Sequence, residues 1–257
     1  MLSRRRVLIP FVLGLAMVGI PPAQADLVDL IAVAKPSVVA VGVFNPAASP
    51  RFTPRGTGFV VGDGHQVITN FHVLPGADDL GFGNELRVRV VSGEAAPSER
   101  VATLLATDRV RDLAVLRIDG TRLPTLPLGP ADLVAEGTSV ALIGFPIGAV
   151  LGMVPVTHRG IVAAITPALL PPPDARLLTG RGALALRQGP STIYQLDATA
   201  YPGNSGGPLL DIRSGEVIGV VNMVLVKGTR ESALSNPTGI SYAVPVRFVR
   251  ELLEALR

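Results

Sequence analysis

Glycine and proline interrupt this chain along its whole length, with 28 Gly and 23 Pro spread among 257 residues. A helix interior accommodates neither well: Gly loses more backbone entropy, while Pro removes a donor and clashes with the preceding turn. Such a chain suits many short strands joined by turns better than a helical bundle. The apolar fraction of 48% against 17% charged residues excludes a disordered chain. The length is enough to bury a substantial core, as one domain with two sub-cores or as two small domains.

The pattern along the chain predicts a short helix over 26–35, with two Asp in its first turns and Pro36 ending it. Strands are predicted over 37–43, 57–61, 66–69, 86–91, 101–107 and 113–118. Asp63-Gly64 is a hairpin turn signal between the second and third of these. A connector rich in Gly, Pro and Asp covers 119–133, and a second strand series follows at 139–144, 160–165, 193–196, 208–211, 217–222 and 239–244. From Pro245 a closing helix presents Val246, Val249, Leu252, Leu253 and Leu256 along one stripe. Two strand series, a connector and a closing helix predict two small antiparallel β-barrels, an all-β fold, with a first barrel over about 37–120 and a second over about 134–245. No repeat of fixed period is present. Between Thr166 and Ser191 the irregular stretch carrying Pro171-Pro172-Pro173 is the candidate mobile element.

Residues 1–25 read as an export signal. Arg4-Arg5-Arg6 is its basic region, Val7 to Ile20 its apolar run, and Ala23-Gln24-Ala25 a small-x-small cleavage site. A membrane anchor is the rival reading. The apolar run of 14 residues holds Pro10, Gly14 and Gly19 and falls short of the roughly 20 residues of a spanning helix. Ser3-Arg4-Arg5-Arg6-Val7-Leu8 is compatible with either twin-arginine or Sec export. The expectation is a signal over 1–25 and a domain over 26–257 that works in the periplasm or outside the cell, with no stable membrane anchor after cleavage. The sequence has no Cys, so its stability comes from packing rather than disulfides.

The formal charge of +3 lies in that leader: without its three arginines, basic and acidic residues are equal in number. A nucleic-acid or anionic-membrane partner calls for a basic patch on the working domain, and 4% aromatic residues leave little surface on which to stack bases.

Three sites can carry chemistry. In Gly203-Asn204-Ser205-Gly206-Gly207-Pro208, glycines allow a sharp turn that presents a hydroxyl and lets neighbouring N–H groups converge on an oxyanion. The plain alternative is a Gly-rich turn. His72, in Ile68-Thr69-Asn70-Phe71-His72-Val73, follows a strand that fixes its position, whereas His65 sits beside a turn and reads as solvated, and His158 stands just before Arg159-Gly160 where a strand begins. Asp112, in Arg111-Asp112-Leu113-Ala114-Val115-Leu116, stands at the mouth of an apolar strand and alone would be a simple strand cap. Together they change meaning, because a Ser hydroxyl needs a base to take its proton, and a His does so when an acid holds its tautomer. Order removes one rival: an α/β-hydrolase needs its His after the Ser, and no His follows Ser205. A dinucleotide fingerprint is also excluded, since Gly56-x-Gly58 is followed by Gly62, one residue late.

Thr69-Asn70-Phe71-His72-Val73, Asp112-Leu113-Ala114-Val115-Leu116 and Gly203-Asn204-Ser205-Gly206-Gly207-Pro208-Leu209-Leu210 resemble the three motifs of trypsin-like serine peptidases, nearest the bacterial HtrA (Deg-type) branch. Gly56-Thr57-Gly58-Phe59-Val60-Val61, Gly215-Glu216-Val217-Ile218-Gly219 and Gly239-Ile240-Ser241-Tyr242-Ala243-Val244-Pro245 match flanking strands of that branch, and the resemblance covers roughly 26–250. It implies a double β-barrel with the active site in the cleft between barrels. Ser205 is then the nucleophile, His72 the general base and acid, and Asp112 the group that orients the His72 ring. The oxyanion hole falls at the Gly203-Asn204-Ser205 turn, with the Gly203 and Ser205 N–H groups as its donors. No cofactor or metal is implied, and the partners are polypeptide substrates; no oligomeric state is legible.

Departures from digestive trypsins carry information. Val73 stands where those enzymes have a disulfide Cys, and Asn204 where they have an Asp that pairs with a newly cut N-terminus. Control through ordering of the 166–191 loop is therefore expected in place of activation by N-terminal cleavage. Thr199, six residues before Ser205, replaces the acid that selects Lys or Arg. Ala198, Thr199, Ala200, Tyr201, Pro202, Asn222, Met223, Val224 and Ile240 are expected to line a pocket for small aliphatic side chains, with Ala200 and Tyr201 departing from the usual HtrA pattern. The chain ends at Arg257 just after the closing helix, where HtrA proteins usually append PDZ domains, so a peptidase domain without one is expected. These readings predict a serine endopeptidase of exported or unfolded proteins; the competing class is a non-catalytic, protease-like polypeptide-binding protein.

Overall fold

Continuous apolar runs such as Val38-Val39-Ala40-Val41 require burial on both faces of a strand, and the architecture provides it. The structure, a computed structural model, describes residues 27–76, 79–81, 83–91, 96–146, 152–168, 191–222 and 239–257. The expected export signal, most of the 166–191 stretch and the expected pocket residues Met223 and Val224 lie outside the described residues.

Among the described residues, twelve strands form two closed antiparallel barrels. The first comprises β1 (Val38–Phe44), β2 (Phe52–Val61), β3 (Gln66–Thr69), β4 (Glu85–Val90), β5 (Ser98–Asp108) and β6 (Leu113–Ile118), in the order β1-β2-β3-β6-β5-β4 with β4 closing on β1. The second comprises β7 (Ser139–Gly144), β8 (Val156–Ala168), β9 (Ser191–Asp197), β10 (Pro208–Asp211), β11 (Val217–Asn222) and β12 (Ile240–Pro245), in the order β10-β11-β12-β9-β8-β7 with β7 closing on β10. Helix α1 (Leu27–Ala34) precedes the first barrel and α2 (Val246–Glu254) follows the second.

Alternate residues of one strand serve different cores. Val39 and Val41 of β1 face the interior of the first barrel with Val60, Val67 and Val88, while Val38 and Ala40 join a core shared by both barrels. β7 repeats the division: Val140 and Leu142 pack inside the second barrel, Ala141 and Ile143 in the shared core. Leu30 and Ala34 of α1 and Val246, Phe248 and Val249 of α2 close that shared core from outside. Phe248, absent from the expected helical stripe, is thus a core residue, whereas Leu256 lies beyond the end of α2 and is exposed. Arg111 and Arg247 both stack on the Phe248 ring, at 4.3 and 4.5 Å from its centroid.

Candidate active site

Asp112 is delivered by a turn that the sequence builds for itself. Asp108 Oδ1 accepts the N–H groups of Val110 and Arg111, each at 3.0 Å, and Asp108 Oδ2 pairs with Arg111 Nη1 at 2.7 Å. The chain then passes through Asp112 at φ 57°, a left-handed conformation that short polar side chains tolerate best, and enters β6. The Asp112 carbonyl oxygen is held by Asn70 Nδ2 at 2.8 Å and by the Phe71 N–H at 3.2 Å. These bonds fix the register between the end of β3 and the start of β6.

His72 sits in the 3-10 turn Phe71–Val73 that follows β3. Its ring Nδ1 lies 2.5 Å from Asp112 Oδ2, and its backbone N–H donates to Asp112 Oδ1 at 2.8 Å. A third donor, Asn222 Nδ2 at the end of β11, reaches Asp112 Oδ2 at 2.9 Å from the other barrel. Asp112 is 6% exposed, and three donors compensate the burial of its carboxylate. A carboxylate only accepts, so Nδ1 carries the proton and the Nε2 lone pair remains as a base.

Ser205 lies in the turn between β9 and β10. The Asn204 N–H donates to Tyr201 O at 3.0 Å, the Gly206 N–H to Val221 O at 2.9 Å and the Gly207 N–H to Asn204 O at 3.0 Å. The Ser205 carbonyl accepts the Thr57 N–H at 2.8 Å. The N–H groups of Gly203 and Ser205 have no acceptor among the described residues. Gly206 must be glycine, since it holds φ 86° and a Cβ there would lie 2.2 Å from Thr57 O. Ser205 and the residue after His72 flank one position: a side chain at Gly56 would meet Val73 at 2.6 Å and Ser205 O at 2.9 Å. The Ser205 hydroxyl makes no hydrogen bond to another described residue.

The expected pocket residues divide. Ala198 and Ala200 are buried within the second barrel's core, Thr199, Tyr201 and Pro202 are half-buried, and Ile240 is exposed. Asn222, expected on the pocket wall, is buried and spends its amide on Asp112. Asn204, in the turn expected to form the oxyanion hole, spends its N–H on Tyr201, and the N–H groups of Gly203 and Ser205 are the unclaimed donors of the turn. The other two histidines stand apart. His65 is less solvated than its place beside a turn suggests, with Nε2 3.1 Å from Gly120 O. His158 lies inside β8 with its ring 5.7 Å from that of Tyr201, and burial pushes its pKa below the ordinary value near 6.5. Sequence reasoning did not single out Asn70 or Thr57, nor the bond from Asn222 to Asp112. The available signal was a polar residue at the end of, or within, an otherwise apolar strand, where only a buried hydrogen bond justifies it.

A profile described as "Trypsin-like peptidase domain" matches residues 56–220. The chain is 31% identical over 209 residues to the probable periplasmic serine endoprotease DegP-like of Halomonas elongata, covering 79% of this chain and 35% of that one. It is 27% identical over 213 residues to the putative serine protease HhoB of Synechocystis sp., covering 82% and 42% respectively. The chain therefore spans well under half the length of these curated relatives. Among solved structures, the crystal structure of Deg5 aligns with a TM-score of 0.63 at 25% identity, covering 89% of this chain and 92% of that one. The serine endoprotease from Yersinia pestis aligns with a TM-score of 0.58 at 27% identity, covering 88% and 65%.

Proposed function

The chain belongs to the trypsin-like peptidase family, and from that premise we propose that it is a serine endopeptidase that hydrolyses peptide bonds of exported or unfolded polypeptides in the periplasm or outside the cell. The observation that carries this reading is the Asp112–His72 pair, with Nδ1–H committed to the carboxylate at 2.5 Å, in the chain that also presents a serine turn with two unclaimed N–H groups.

Ser205 Oγ attacks the carbonyl carbon of the scissile bond while its proton passes to His72 Nε2. Asp112, buried and held by Asn222 and the His72 backbone, stabilises the imidazolium that forms. The carbonyl oxygen becomes an oxyanion and draws the Gly203 and Ser205 N–H groups, each such donor contributing about 3–4 kcal/mol to the transition state. Collapse of the tetrahedral intermediate breaks the C–N bond, and His72 gives its proton to the departing amine. Water, deprotonated by the same ring, then attacks the acyl-Ser205 ester; the C–Oγ bond breaks, the ring returns the proton to Ser205 Oγ, and the acid is released. Thr199 in place of an acid removes the partner a Lys or Arg side chain would need, so small aliphatic side chains are the preferred occupants of the pocket. The periplasmic setting rests on the names of the relatives and on the 1–25 leader.

The test is labelling of the purified protein by a fluorophosphonate probe together with a peptide-library cleavage profile. Wild type is expected to label and to cleave, and Ser205→Ala to lose labelling and about 10⁴-fold or more in turnover. Peptide hydrolysis unchanged in Ser205→Ala would overturn the mechanism, and binding of unfolded polypeptide without labelling would assign the chain to the non-catalytic class.

A further inference from the structure

The turn that carries Ser205 depends on a glycine, Gly203 at φ 105°, and a glycine does not hold a peptide plane by itself. Something outside the turn must fix it. Asn204, the side chain nearest to hand, does not: it is fully buried, yet neither its Oδ1 nor its Nδ2 has a hydrogen-bond partner. The fixing comes from the first barrel. Thr57, in β2 and fully buried, donates its hydroxyl to Gly203 O at 2.6 Å and accepts the Phe145 N–H at 3.0 Å. Its backbone N–H holds Ser205 O at 2.8 Å, and its own carbonyl is held by Thr69 Oγ1 at 2.7 Å.

The polarity of this arrangement is determined. The Phe145 N–H can only donate, so it occupies a lone pair of the Thr57 hydroxyl; the Gly203 carbonyl can only accept, so it takes the hydroxyl's one proton. With Gly203 O drawn toward β2 and the Asn204 N–H drawn toward Tyr201, the Gly203–Asn204 peptide is pinned at both ends. That leaves the Gly203 and Ser205 N–H groups, on the peptides either side, as the unclaimed donors. We propose that Thr57 is a positioning residue for the oxyanion hole, acting through its hydroxyl on the Gly203 carbonyl; the proposal rests on the reading of Ser205 as nucleophile.

A Thr57→Val chain keeps about the same volume and both backbone bonds and replaces the hydroxyl with a methyl, leaving Gly203 O without its donor and the Phe145 N–H without its acceptor. Rates are read per titrated active site, so that loss of folded protein does not enter. The expected result is a fall in kcat of about 10²-fold, the scale of one oxyanion donor, with KM little changed. Affinity for a peptide boronate, whose tetrahedral adduct puts an oxygen in the hole, should fall by the same factor, while affinity for the matching product peptide holds. Thr57→Ser should restore kcat to within about threefold of wild type. If Thr57→Val does not fold, Thr57→Ala, with room for a water in place of the hydroxyl, carries the same measurements.

Retention of wild-type kcat without the hydroxyl would overturn the inference, and so would an equal loss of boronate and product affinity, which marks general damage to the site. Failure of Thr57→Ser to rescue in a folded chain would do the same. A wild-type protein with no Ser205-dependent hydrolysis or labelling removes the catalytic reading itself, and this one with it; an active wild type with an equally active Thr57→Val removes this one alone.

Discussion

His158 has no part in the chemistry proposed above, yet it makes the protein's stability depend on pH. Its ring is half-buried in β8 beside Tyr201, its Nε2 has no hydrogen-bond partner, and burial lowers its pKa from the ordinary value near 6.5. Between those two values the unfolded chain binds a proton that the folded one refuses, so stability rises with pH. The contribution is fully present above about pH 6.5 and is lost as pH falls toward the folded value. Urea unfolding of wild type and His158→Gln across pH 5 to 8 is expected to show wild type losing ground to the variant below about pH 6.5; parallel profiles would show that the ring titrates alike in both states. At this scale the sequence was informative in proportion to how local the signal is. Asp112, His72 and Ser205 each stand in a short pattern that a motif resemblance picks out. The 2.9 Å bond from Asn222 to Asp112 is not legible, because 110 residues of chain separate the two. Only the folded turn reveals that the Asn204 N–H bonds to Tyr201 O.

Elements are legible where turn chemistry bounds them and come out too short where a strand runs on through a proline. β3, β6, β7, β10 and β11 begin and end where periodicity puts them. β2 starts at Phe52, five residues before its expected start, because Pro54 sits beside a bulge at Val41/Gly42, where the ladder is already interrupted and a missing N–H costs little. β8 likewise runs through Pro167 to Ala168, paired with Ser191 and Thr192 of β9. The apolar stripe predicts the closing helix, and polar contacts add to its apolar packing. Arg250 donates from Nε to Gly129 O and from Nη2 to Leu128 O, both at 2.7 Å, tying α2 to the connector between the barrels. A guanidinium satisfies two adjacent carbonyls with one planar fork, which an ammonium cannot match. Arg250→Lys is therefore expected to destabilise the protein by about 1–2 kcal/mol, a loss read as a lower urea midpoint with an unchanged m-value. A midpoint within error of wild type would mean that the apolar face of α2 alone holds it in place.

At the scale of the molecule, the two barrels are bound by a core that belongs to neither. Val38, Ala40, Phe59, Ile68, Leu113 and Val115 from the first barrel meet Ala141, Ile143, Phe145, Leu210, Val217, Val220 and Val244 from the second in one cluster. A sequence reading finds two strand series and infers two barrels, but burial on both faces of β1, β6, β7 and β11 shows how they combine, because each of these strands serves its own barrel with one face and the common core with the other. The Asp112–Asn222 bond and the Thr57 contacts to Ser205 and Gly203 cross at the margin of that core, so the geometry proposed for catalysis depends on the barrels remaining docked. Ile143 tests this, since its fully buried side chain contributes to the shared core from the second barrel. Ile143→Ala is expected to cost about 2–5 kcal/mol, the range for truncating a buried aliphatic side chain. A common core should distribute that loss as one cooperative unit, so amide hydrogen exchange should accelerate in β2 and β6 of the first barrel along with β7 and β10 of the second. Acceleration confined to β7 and β10 would mean that the barrels unfold independently and that their docking contributes little to either.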